Sequence, residues 1–98
     1  IALGRLGRLF LEEGRIPEAR EHLAGGEARL SAPEYRTELG KLLCTKAELE
    51  RRSGDLNAAR NILKEVERIA SQSGARPDPE FERRLADVRG KLADAPPG

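Results

Sequence analysis

Two stretches decide the fold when laid side by side: LGRLGRLFLEEGRIPEAREHL, residues 3–23, and LCTKAELERRSGDLNAARNIL, residues 43–63. A shift of forty residues brings Leu3 onto Leu43, Leu9 onto Leu49, Gly14 onto Gly54, Ala19 onto Ala59, Arg20 onto Arg60 and Leu23 onto Leu63. The small Gly7 meets Ala47, and Ile16 meets Leu56. Most of these matches fall on apolar-stripe and turn positions, where chance would have scattered them over the surface. Each unit reads as a helix, a short turn at Gly-Arg or Gly-Asp, and a second helix. Neither hairpin can bury its apolar face alone, so the two must stack.

Apolar residues recur at helical spacing on either side of these turns. Leu3, Leu6, Leu9 and Phe10 form the stripe of the first helix, which Gly14 stops. Pro17 suits the first turn of a second helix, where its missing N–H has no partner to lose. That helix carries Ala19, Leu23, Ala28 and Leu30 inward, and the Gly25-Gly26 pair weakens it to the point of fraying. Ser31-Ala32-Pro33-Glu34 has the form of a capping box and starts a third helix, with Tyr35, Leu39, Leu42, Leu43, Ala47 and Leu49, that ends before Gly54. A fourth begins at Asp55 to Asn57, holds Leu56, Ala59, Ile62, Leu63, Val66 and Ile69, and runs out at Gly74. Asp78-Pro79 caps a fifth, whose stripe is Phe81, Leu85, Val88 and Leu92, with Gly90 denting it.

At 98 residues the chain is a single domain. Eighteen Lys and Arg against 17 Asp and Glu leave a net charge of +1, too little for a nucleic-acid footprint or an anionic membrane surface. With three aromatics (Phe10, Tyr35, Phe81), no Trp and no Met, the core is built from Leu, Ala, Ile and Val, which favours helix packing over a sheet. A lone Cys44 among leucines points to a reducing compartment, most simply the cytoplasm. No apolar run reaches the roughly 18 to 20 residues that span a bilayer. The Ile1 start and the Ala95-Pro96-Pro97-Gly98 ending read as an excised piece of a longer regulatory protein with a flexible linker on its C-terminal side.

Leu3-x-x-Leu6-Gly7-x-x-Phe10-x-x-x-Gly14-x-x-x-x-Ala19-x-x-x-Leu23 resembles the tetratricopeptide repeat pattern: large apolar, Leu-Gly, aromatic, turn glycine, small alanine, large apolar. In the second unit Leu43, Ala47, Gly54, Ala59 and Leu63 keep it, while Lys46 stands where Leu6 stood and Glu50 where Phe10 stood, with Leu49 packing instead. The forty-residue period is similar to the longer repeats of large bacterial transcriptional regulators of the maltose-activator type. The resemblance covers residues 1 to 71. It implies an all-α, right-handed superhelix of two hairpins, repeat one at 1–31 and repeat two at 32–74, closed by a cap helix at 78–95. Together these make one domain over 1–95 with a flexible tail at 96–98.

Catalysis needs a nucleophile with a base, a carboxylate pair or a metal site. His22 is the sole histidine and reads as a helix-surface imidazole one turn from Glu18. Cys44 reads as a small buried hydrophobe. Gly4-x-x-Gly7 lacks the strand and the Lys-Ser/Thr of a phosphate loop, so it reads as close helix packing. The expectation is a non-enzymatic protein-interaction scaffold, without cofactor or metal, that takes a peptide or helix of a protein partner in its concave groove. The alternative is a structural spacer or self-association element, as a homodimer or by stacking on further repeats. In the family, the first helix of each hairpin lines the concave side. The resemblance thereby implies Arg8 and Glu12 in the first unit, and Lys41, Glu48 and Arg52 in the second, as partner-facing, with Leu11 a surplus apolar contact. Glu48 and Arg52 should also pair one helical turn apart. Gly4, Cys44, Arg8 and Glu48 replace the Lys and Asn with which relatives clamp acidic chaperone tails, which argues against that ligand.

Overall fold

The computed structural model describes residues 3–72 and 78–94, and of residues 3–5 the backbone alone. The described chain is all-helical: α1 Leu3–Glu12, α2 Ile16–Arg29, a 3-10 turn Pro33–Tyr35, α3 Arg36–Ser53, α4 Leu56–Gln72 and α5 Pro79–Ala93. The expected helix end at Gly74, the tail at 96–98 and the places of the Leu3 side chain and of Gly4 within the packing lie outside the described residues.

The forty-residue shift holds hydrogen bond for hydrogen bond at the two hairpin turns. Gly14 N–H donates to the Leu11 carbonyl (3.0 Å) and Arg15 N–H to that of Phe10 (2.8 Å). Forty residues on, Gly54 N–H donates to Arg51 (3.2 Å) and Asp55 N–H to Glu50 (2.9 Å). Both glycines sit at positive φ, 77° and 96°, which closes the last helical turn and which a Cβ would strain. The second helix of each hairpin then starts the same way, with Ala19 N–H on the Arg15 carbonyl and Ala59 N–H on that of Asp55.

Helix α3 is the shared element. It touches α1, α2, α4 and α5, and α5 lies against α3 and α4 as α3 lies against α1 and α2. Leu42 and Leu49 of α3 join Leu11, Ala19, Leu23 and Leu30 in one apolar cluster. Leu43, Cys44 and Ala47 of the same helix join Ala59, Val66, Ile69, Phe81, Leu85, Val88 and Leu92 in another. A helix buried on two opposite sides reads as weakly amphipathic in sequence, and its burial only makes sense between two neighbours. The two junctions also repeat an ion pair. Lys46 of α3 reaches Glu27 of α2 (2.9 Å), and Arg89 of α5 reaches Glu67 of α4 (2.8 Å), the two glutamates standing forty residues apart.

Close approach is bought with glycine at two places. A Cβ on Gly7 would lie 2.7 Å from Leu23 Cδ2, in line with the expected tight first hairpin. A Cβ on Gly40 would collide with the Phe81 ring, meeting Cε1 at 2.7 Å, so this glycine sets how deeply α5 docks on α3.

Several expectations are corrected. The Ser31 capping box does not form. Pro33 forces Ala32 into extended backbone (φ −72°, ψ 145°), so Ala32 cannot be the first helical residue, and a 3-10 turn carries the chain into α3 at Arg36. Tyr35 is accordingly an exposed turn residue rather than a packing residue of α3. The Gly25-Gly26 pair does not break α2, and Gly26 is buried while Ala28 is exposed. In α1 the buried arc runs through Gly7 and Leu11, because that arc faces both α2 and α3. Leu6 and Leu9, expected inside, are 44% and 49% exposed. Leu49 does pack, at 0% exposure.

Candidate groove on the α1, α3 and α5 face

Helices α1 and α3, the first helices of the two hairpins, border one cleft together with α5. Its base is formed by Leu11, Cys44, Thr45 and Val88, all nearly fully buried. The rim carries Arg8 and Glu12 from α1, Glu48 and Arg52 from α3, and Arg84, Asp87 and Lys91 from α5. The cavity at the base is about 60 Å³, room for one or two waters and far below the several hundred Å³ of a cofactor pocket. Whatever uses this face lies along it.

Of the residues expected to face a partner, Arg8, Glu12, Glu48 and Arg52 come together on this rim. Leu11 lies beneath it, a core residue at 2% exposure and not a free contact. Lys41 is elsewhere: it holds the start of α5, with Asp78 at 3.2 Å and Glu38 at 3.4 Å. Burial works against the Lys41 charge, but the hydrogen bond it donates to Asp78 and the neighbouring carboxylates outweigh it and raise the pKa. Asp78 in turn accepts from the Glu80 and Phe81 N–H groups at the N-cap, and the Phe81 bond is the first cause of its lowered pKa.

Glu48 is the electrostatic centre of the rim. Its Oε1 accepts from Arg51 Nε (2.8 Å), and its Oε2 from Arg51 Nη2 and Arg52 Nε (both 2.8 Å), with Lys91 Nζ at 3.4 Å. Burial alone would push this carboxyl up; the bonds from Arg51 and Arg52 and the Lys91 charge bring it down to about 2. Arg52 also donates to the Leu11 carbonyl at the end of α1 (3.1 Å), so the Glu48 knot ties α1, α3 and α5 together. The expected Glu48–Arg52 pair exists, and it is a structural junction. The rim groups most open to solvent are Arg8, Glu12 and Asp87, of mixed sign. Cys44 has its thiol pushed up to about 12, chiefly by burial, which leaves no thiolate at neutral pH.

The family resemblance points to no residue of α5, and so misses Arg84, Asp87 and Lys91 on this rim. The missed signal is positional: 84, 87 and 91 each precede a residue of the Leu85, Val88, Leu92 stripe by one, so they flank the buried arc on a single side.

Neither a family model, nor a curated protein, nor a solved structure matches the chain. Among the described residues no group of His, Cys, Asp or Glu has the arrangement of a metal site, and no helix is long and apolar enough to cross a membrane.

Proposed function

We propose that the chain is a non-enzymatic scaffold of the tetratricopeptide kind, whose α1, α3 and α5 face holds an extended or helical segment of a protein partner. The observation that carries this reading is the cleft itself: the first helices of both hairpins side by side with α5, a buried floor, and a rim whose exposed charges are of both signs. Such a rim selects a partner with complementary mixed charge and fixes its register more than its affinity. Two further observations support the non-catalytic part. The most perturbed carboxylate, Glu48, is saturated by cations, and the one thiol is held protonated.

The test is selection of binders from a displayed peptide library, followed by amide chemical-shift mapping of the selected peptides on the labelled chain. Shifts should concentrate on α1, α3 and α5, and Arg8→Glu or Asp87→Lys should weaken binding at least tenfold. Peptides that instead perturb α2 and α4, or that ignore both reversals, would overturn the reading.

A further inference from the structure

The α1–α2 end of the stack differs from the internal α2–α3 junction in a way that points to what covers it. At the α2–α3 junction the hooks are ionic: Lys46 to Glu27, and Glu50 from Arg20 at 2.9 Å. The forty-residue shift puts Leu6 where Lys46 stands and Phe10 where Glu50 stands. Leu6 and Leu9 are, with Tyr35, the large hydrophobics exposed among the described residues. A further hairpin of the internal kind would meet apolar groups where its ionic hooks belong; a surface that matches this end is the same end of a second copy.

The second helix supports that match. Glu21, Gly25 and Arg29 follow one another at one-turn spacing beside Leu6 and Phe10, lining the same open depression of about 500 Å³. All three are exposed, and a Cβ on Gly25 would meet nothing within 4 Å. Two such strips crossed antiparallel about Gly25 set Glu21 of each copy against Arg29 of the other, with glycine at the closest point of approach. Among the described residues, the opposite end of the stack exposes no large hydrophobic, since α5 turns Glu82, Arg83, Ala86, Gly90 and Ala93 to solvent.

We propose that two copies of this chain associate through the α1–α2 end as a two-fold, isologous dimer centred on Gly25, with Leu6, Leu9 and Phe10 at its apolar margin. Helices of 10 and 14 residues side by side present a footprint of roughly 400 Å² per copy, which places the dimer at the weak, reversible end of specific interfaces. The rim residues Arg8 and Glu12 lie on the other side of α1, so the groove stays open in the dimer.

Sedimentation equilibrium of the 98-residue chain from micromolar to millimolar concentration tests this. The apparent mass should rise from one chain to two and stop there. Gly25→Gln, which adds a side chain in open space and a better helix former, should weaken the dimer more than tenfold while leaving helicity intact. Leu6→Lys, the residue of the internal junction, should do the same, and Arg83→Glu on the exposed face of α5 should change nothing. A mass that stays at one chain at millimolar concentration, or that climbs past two, would overturn the proposal. So would a dimer that survives Gly25→Gln and Leu6→Lys, or one that Arg83→Glu dissociates.

Discussion

The two hairpins close with the same turn, yet they live in different surroundings. Hairpin two is covered on both sides, by hairpin one and by α5; hairpin one is covered on one. The cleanest contrast is Leu49 at 0% exposure against Leu9 at 49%, the same position forty residues apart. Equal local structure therefore does not mean equal energetic weight. The turn is written into each repeat by its glycine, whereas burial depends on which neighbour arrives.

The largest expected effects follow from that pair. Leu49→Ala should destabilise the chain by about 2 to 5 kcal/mol, through lost transfer energy and a cavity that α1 and α2 cannot fill. Leu9→Ala should cost less than about 0.5 kcal/mol in the dilute chain. Urea unfolding of the two variants measures both, and equal costs would break the contrast.

Next in size is the ionic knot. Arg8 and Glu12, exposed and 3.5 Å apart, occupy the positions of Glu48 and Arg52 with the signs reversed. Arg8→Gln should cost under about 0.5 kcal/mol, and Glu48→Gln on the order of 2 kcal/mol. The Glu48 pKa is lowered on folding, from an ordinary 4.5 to about 2. Its contribution is thus present above pH 4.5 and lost as the pH falls toward 2. Unfolding free energies across that window should fall for the native chain and flatten for Glu48→Gln.

Gly14→Ala and Gly54→Ala sharpen the likeness, since both residues are held at positive φ and nothing crowds a Cβ at either. Each should cost about 1 kcal/mol, and the two costs should agree within about 0.5 kcal/mol if the turns are equivalent. The smallest effect has the opposite sign. Gly90 sits inside α5 with open space around it, so Gly90→Ala should stabilise by about 0.5 to 1 kcal/mol, visible as a raised Tm.

The helices, the hairpin turns, the Asp78 cap and the buried Cys44 were legible because each is fixed by residues a few positions apart. What the sequence hid depends on distant neighbours. Periodicity announced an apolar stripe on α1 but could not say that α2 and α3 would cover the Gly7 and Leu11 arc and leave Leu6 and Leu9 outside. Glu48 read as a pair with Arg52; the two Arg51 bonds are just as local, and only the Lys91 contact needed a residue brought in from α5. Gly40 offered a readable hint, a glycine inside a helix directly after a leucine, as at Leu6-Gly7, and its partner Phe81 lay too far along the chain to be assigned. The failed Ser31 box is different in kind: Pro33 was in view, and its effect on Ala32 is local.

Native-state hydrogen exchange, followed residue by residue on the dilute chain, tests most directly that α3 is the shared centre and α1 the open edge. Amides in the middle of α3 and α4 should exchange only through global unfolding, and those of α1 through a local opening of lower free energy. Protection in α1 equal to that in α3 would contradict the account.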